Sequence, residues 1–241
     1  MGSVTGQFGA TEIPAAGSKS YFLQSNWWHS FSNESEDYSG LSFTVRNPGN
    51  ASVPLTDGAP LGFPSLFVGQ YAGHGTQGSN LPKAVSSLTG VPTVFQTNNS
   101  TIGLSNHNAT YDVWFTQGAQ ALGAGQGNPG AGGAYLMVWM FKPTDRQPRG
   151  SNAHQAQTVA GMTGKWDVWV DTVGQPPCIS YVSTTPLDGL TFDLNDFIKD
   201  AVGKSYGVVT GTMYLSVVFC GFEIWGGADG IQLQRFCVSV D

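Results

Sequence analysis

Basic side chains are scarce in this chain. Lys and Arg together number 10 against 16 Asp and Glu, for a formal net charge of −6. A chain so poor in cations has no patch for a polyanion, which excludes nucleic acid as a partner. Charge of either sign makes up only 11% of the residues. The one basic cluster is Lys142, Arg146 and Arg149. Solvated turn charges account for it as readily as an anionic ligand does. No apolar run reaches the roughly 20 residues of a membrane span, so no membrane partner is expected. The N-terminus, MGSVTGQFGATEIPAAG, lacks the basic start and apolar stretch of a signal peptide. As it stands it fits a cytoplasmic protein; with a signal peptide already removed it fits the secretory pathway or the extracellular space.

Cysteine is scarce too. Cys178, Cys220 and Cys237 form no C-x-x-C, which leaves no zinc or redox motif. Either Cys220 and Cys237 pair across neighbouring strands, or the thiols are buried as small apolar groups. His29, His74, His107 and His154 are scattered without metal-ligand spacing, so no metal and no other cofactor is expected. Ser216 and Ser239 have no visible His and Asp partners, and a serine hydrolase is unsupported. Triplets that accept N-glycans start at Asn33, Asn50, Asn98, Asn99 and Asn108, in loops rich enough in Asn and Ser to produce them by chance.

What is abundant is glycine, with 33 residues, and aromatic side chains, at 12%. Strand-like runs recur between turn signals at Ser20–Gln24, Leu41–Arg46, Leu66–Tyr71, Ala109–Thr116, Ala134–Phe141, Trp166–Thr172, Cys178–Ser183, Gly207–Cys220 and Ile231–Val240. The series predicts an all-β, single-domain antiparallel β-sandwich of the jelly-roll kind. Residues 20–241 are expected to form the domain, with 1–19 as an N-terminal extension. One helix is expected, because Leu194, Phe197, Ile198 and Ala201 fall at i, i+3, i+4 and i+7. Asp193 can cap its start and Gly203 can end it. The run Gly125-Gln126-Gly127-Asn128-Pro129-Gly130 is formally G-x-G-x-x-G, but a strand follows it, and a dinucleotide loop needs a helix there. It reads as a connection between two strands.

Three strand regions carry polar residues among apolar ones. Asp112 lies between Tyr111 and Val113, on one face with Thr110 and Trp114. Glu223 lies between Phe222 and Ile224, on one face with Gly221 and Trp225. In Gly133–Met140, Tyr135, Met137 and Trp139 share a face. A carboxylate on an apolar strand is costly unless it is paired or faces a cleft. Carboxyls beside aromatic platforms therefore predict a sugar-binding cleft; solvent-facing carboxylates on an edge strand are the alternative.

The chain resembles glycoside hydrolase family 12, the jelly-roll endoglucanases and xyloglucanases, from about Gln24 to the C-terminus. Ser25-Asn26-Trp27-Trp28 resembles that family's Asn-x-Trp sugar-binding strand. Gly62-Phe63-Pro64-Ser65-Leu66-Phe67, Tyr111-Asp112-Val113-Trp114, Gln147-Pro148-Arg149-Gly150 and Gly221-Phe222-Glu223-Ile224-Trp225 resemble further motifs in order. Gly133–Met140 resembles G-A-E-L-M-[IV]-W-L, with Tyr135 where the family has its nucleophilic glutamate. Arg149 stands where the family usually has an apolar residue. The resemblance implies an acid/base role for Glu223, a supporting role for Asp112, and ligand contacts from Asn26, Trp28, Met137, Trp139, Arg149 and Trp225.

Tyr135 makes the family's reaction the open question. A phenol titrates near 10 and is a poor nucleophile at neutral pH. Three readings follow. In the first, the scaffold no longer hydrolyses glycosides; it binds a small organic ligand and assists its cyclisation, isomerisation or a pericyclic step, with Glu223 and Tyr135 as acid or hydrogen-bond donors and Asp112 orienting Tyr135. In the second, it remains an active endo-β-1,4-glucanase or xyloglucanase whose tyrosine attacks, as in sialidases, with Asp112 as its base. In the third, it binds oligosaccharide without catalysis.

Overall fold

Alternation along the chain becomes two facing β-sheets. The computed structural model describes residues 1–29, 33–47, 58–98, 106–120, 122–123 and 127–241. The sequons at Asn50 and Asn99, and residues 125–126 of the glycine-rich run, lie outside them. The smaller sheet runs Gly2–Thr5, Ser35–Ser39, Ser42–Arg46, Gln232–Val238, Pro92–Thr97 and Gly189–Asp193. The larger runs Ser151–Gln157, Trp166–Asp171, Cys178–Ser183, Ala134–Phe141, Ala109–Thr116, Tyr214–Gly221, Ser65–Tyr71, Ser20–Gln24 and Ala10–Pro14. Among the described strands every pairing is antiparallel except Ala134–Phe141 with Cys178–Ser183. This is the expected all-β jelly roll.

Strand alternation divides the side chains between two environments. From the larger sheet, Tyr111, Val113, Leu136, Val138, Ile179 and Tyr181 point into the core. They meet Phe43, Val45, Phe95 and Phe236 of the smaller sheet. The opposite face of the same strands carries Asp112, Trp114, Tyr135, Met137 and Trp139, and this face forms the floor of the cleft.

The helix is Leu194–Gly203, capped as expected: the Asp193 carboxylate accepts the backbone N–H of Asn195 at 2.9 Å. Its apolar stripe packs on the larger sheet's inner face, where Phe197 meets Trp166 edge-on with ring centroids 4.8 Å apart.

Two expectations are revised, and of the two alternatives for the cysteines the structure takes free thiols. Residues 1–19 supply two strands: Gly2–Thr5 pairs with Ser35–Ser39, and Ala10–Pro14 with Ser20–Gln24. The run from Gly207 becomes a strand only at Tyr214, after a turn closed by the Met213 N–H donating to the Thr210 carbonyl at 3.2 Å. Cys220 and Cys237 are free thiols in opposite sheets, Cys220 facing the core and Cys237 facing away from it. Among the described residues no helix is long and apolar enough to cross a membrane.

Candidate active site

Register across the larger sheet assembles the site. One row reads Phe219, Asp112, Met137, Ser180, Trp169. The next reads Val217, Trp114, Tyr135, Cys178, Asp171. Above these rows lies a cleft of about 650 Å³ lined by Glu223, Tyr135, Asp112, Trp28, Met137, Trp139, Arg149 and Trp225. Asn26 lines an adjoining hollow that shares Trp28, Asp112 and Trp114 with it. All nine residues picked out in the sequence therefore meet in one continuous depression.

Glu223 sits in a break in the sheet, between Tyr214–Gly221 and Ile224–Gly226, rather than inside a strand. The alternation of sides nevertheless persists. Phe222 and Ile224 enter the core, while Glu223 and Trp225 line the cleft. Asn108 holds the break in place. Its side-chain Nδ2 donates to Glu223 Oε2 at 2.6 Å, and its Oδ1 accepts the Glu223 backbone N–H at 3.0 Å. The Asn108 N–H in turn donates to the Glu223 carbonyl. Burial pushes the Glu223 carboxyl up to about 8; the Asn108 hydrogen bond opposes the shift and the nearby Asp112 adds to it. Asn108 is fully buried and so engaged, which removes it as a glycan acceptor.

Asp112 accepts the Trp114 indole N–H at 2.8 Å through Oδ2, while its Oδ1 is buried without a partner. Burial raises it to about 7, against the Trp114 hydrogen bond and the Arg149 charge. Trp114, so held, stands edge-on to the Tyr135 ring with centroids 5.3 Å apart.

Tyr135 lies between Trp114 and Cys178 on the flanking strands. Burial, then the Asp112 charge, pushes its phenol well above the ordinary tyrosine value. The Arg149 guanidinium stands 5.8 Å from the ring centroid. Arg149 is itself held by Asp171 at 2.8 Å and by the Pro176 carbonyl. Burial also pushes the neighbouring Cys178 thiol up to about 12, which keeps it protonated and unreactive.

The walls are aromatic. Trp139 and Trp225 tilt together at 5.9 Å, and the Trp225 indole donates to the Gly58 carbonyl. Trp28 is 41% exposed at the rim, aimed by its own N–H bond to Asn26 Oδ1 at 2.8 Å. Asn26 adopts a left-handed φ of 52°, a conformation Asn tolerates better than most residues. Two donor side chains, Glu223 and Tyr135, thus face a largely apolar cleft with their protons on near neutral pH. Asn108 and Asp171 escaped the sequence reading as site residues, since each acts through a partner distant in sequence.

The chain is similar along its whole length to solved endoglucanases. An endo-1,4-β-glucanase CelB2 superposes with a TM-score of 0.84 at 25% identity, covering 100% of both chains. Endoglucanase Cel12A from Rhodothermus marinus superposes at 0.83 with 28% identity, covering 100% of this chain and 99% of that one. A probable cellulase Cel12b from Mycobacterium tuberculosis is 26% identical over 164 residues, 68% of this chain and 99% of that protein. Residues 19–241, which contain every strand that builds the cleft floor, match the sequence model of glycosyl hydrolase family 12, and the chain belongs to that family.

Proposed function

We propose that this protein does not hydrolyse glycosides, and that its cleft promotes the cyclisation, isomerisation or a pericyclic step of a small organic ligand by acid and hydrogen-bond catalysis. The observation that carries the reading is Tyr135: a neutral phenol occupies the floor of the same cleft that a protonatable Glu223 lines. Retaining hydrolysis needs two carboxyls about 5–5.5 Å apart, one of them ionised to attack. Asp112 is a poor substitute base for Tyr135. Burial brings the Asp112 carboxyl only to about 7 and pushes the phenol well above its ordinary value, so proton transfer from Tyr135 to Asp112 runs uphill. That argues against a tyrosine nucleophile.

The proposed chemistry uses what remains. Glu223 lends its proton to a ligand oxygen as charge develops there. Tyr135 donates a second hydrogen bond to the same developing charge, and preorganised donors in a dry site stabilise such charge far better than water does. The tryptophan walls hold the ligand in a reactive conformer. The Glu223 carboxylate then recovers the proton. Ligand atoms are conserved throughout, so no water or oxidant is consumed.

A second reading has its own support. Trp28, exposed at the rim and aimed by Asn26, is a ready stacking platform for a sugar ring, which favours glycan binding without turnover. The test is incubation of the purified protein with β-1,4-glucan, xyloglucan and cello-oligosaccharides. The proposed function predicts no reducing sugar and no tight oligosaccharide binding. Sustained release of reducing sugar that disappears in Glu223→Gln would overturn it in favour of an endoglucanase. Tight binding without turnover, weakened by Trp28→Ala, would overturn it in favour of a glycan-binding protein.

A further inference from the structure

Arg149 lines the cleft, and its guanidinium is held in place. A solvated turn charge would instead swing freely in water. The Arg149 Nε donates to Asp171 Oδ2 at 2.8 Å, and an Nη2 N–H goes to the Pro176 carbonyl. Asp171 is fixed in turn: its Oδ1 accepts the backbone N–H of Gly174 at 2.8 Å and of Val173 at 3.0 Å. The Gly174 bond above all holds the Asp171 carboxyl below the ordinary aspartate range, so it stays ionised. Gly174 also leaves the room for the pair, since a Cβ there would stand 2.9 Å from Arg149 Nη2. The family resemblance has an apolar residue at this position, so the charge belongs to this chain.

A guanidinium carries five N–H groups. Two of them are engaged by Asp171 and Pro176, and three remain. The Arg149 side chain is 46% exposed against 15% for Asp171, and only Arg149 lines the cleft. The pair therefore turns its positive end toward a ligand. The guanidinium carbon lies 5.8 Å from the Tyr135 ring centroid, so a group bound there sits beside the cleft floor. The other titratable groups lining the cleft bring no competing charge below neutral pH. Burial raises Asp112 to about 7, Glu223 to about 8 and Cys178 to about 12, and lifts the Tyr135 phenol further. A carboxylate fits the remaining edge, because its two oxygens accept parallel N–H bonds from one planar fork. A sugar hydroxyl offers one uncharged acceptor, and such bonds are about half as strong.

We propose that the open edge of Arg149 binds an ionised carboxylate of the ligand, so that the cleft takes an organic acid and Arg149 is a specificity-determining residue. The inference rests on the small-ligand reading of the cleft. Its test reads binding alone, so it fails separately from the proposed reaction. The probe is naphthalene-2-carboxylate, compared by calorimetry with naphthalene-2-carboxamide, its uncharged counterpart of the same shape. The titrations are run in low salt at about pH 6, where Asp112 and Glu223 keep their protons. Wild type should bind the carboxylate about tenfold more tightly than the amide. The gap should narrow in about 0.5 M NaCl, which screens a half-exposed charge. Arg149→Gln should bring the two affinities within about twofold, and Arg149→Lys should keep part of the preference, since it retains the charge without the fork. The wild-type comparison stands by itself if losing Arg149 loosens the loops it joins. Equal affinity of wild type for acid and amide, no binding of the carboxylate, or a preference unchanged in Arg149→Gln would each overturn the proposal. Hydrolysis of glucan with the carboxylate preference intact would overturn the reaction alone.

Discussion

Tyr135 and Glu223 are held by different means, and the difference matters for their chemistry. Tyr135 stands on a regular strand, where neighbours in register fix it from both sides. Glu223 stands in a break, where a single residue, Asn108, supplies both its backbone partners and the hydrogen bond to its carboxylate. A hydrogen bond to the charged form lowers a carboxyl's pKa. Removing it in Asn108→Ala should therefore raise Glu223 above its present value of about 8. Carboxyl carbon shifts followed by NMR across the titration would read this. An unchanged or lower midpoint would show that Asn108 does not tune the acid. In either protein, any reaction that needs protonated Glu223 should slow as pH rises through that midpoint. In the sequence, alternation put each residue on one face with a tryptophan, and the family resemblance singled out Tyr135 and Glu223. Nothing local marked Asn108, which acts across 115 positions.

At the scale of elements, the Trp28 rim depends on a buried carboxyl in the other sheet. Glu36 is fully buried on the strand Ser35–Ser39 and accepts the Ser25 hydroxyl and the Trp27 indole N–H, the latter at 3.0 Å. This ties the segment carrying Asn26 and Trp28 to the smaller sheet. Burial raises Glu36 from an ordinary 4.5 to about 7; the Ser25 and Trp27 bonds oppose the shift, and the charges of Glu34 and Asp37 add to it. The sign follows by linkage. The folded state holds the proton more tightly, so the stabilisation is complete below pH 4.5 and is lost as pH rises through 7. The loss is on the order of 3 kcal/mol. Denaturant unfolding at pH 4.5 and at pH 7.5 should show wild type losing more stability over this interval than Glu36→Gln, with Asp112 and Glu223 contributing in the same direction. An identical decline in both proteins would contradict this account of the clamp.

The elements also show what was legible in the sequence. Ala109–Thr116, Ala134–Phe141 and Cys178–Ser183 were readable to the residue, because dense β-branched and aromatic runs end at clear turn signals. Gly2–Thr5 and Ala10–Pro14 were not. They are short outer strands containing Gly, Thr and Pro with little apolar alternation, and Gly2–Thr5 pairs only with the distant Ser35–Ser39. Ser151–Gln157 has almost no apolar residue and is a strand only through its partner Trp166–Asp171.

For the molecule as a whole, one architecture serves two purposes. The core side of the larger sheet keeps the packing of a family 12 jelly roll, and the sheets superpose on known endoglucanases. The cleft side has a phenol on its floor. Substitutions on the cleft face leave the core untouched, because alternate residues of the same strand belong to separate environments. A protein can therefore keep the scaffold while its reaction changes. The most direct measurement is reducing-sugar release from β-1,4-glucan by three proteins side by side: wild type, Tyr135→Glu, and Tyr135→Glu combined with Glu223→Gln. The account predicts no release by wild type, measurable release by Tyr135→Glu, and none by the double variant. Sustained hydrolysis by wild type would contradict it.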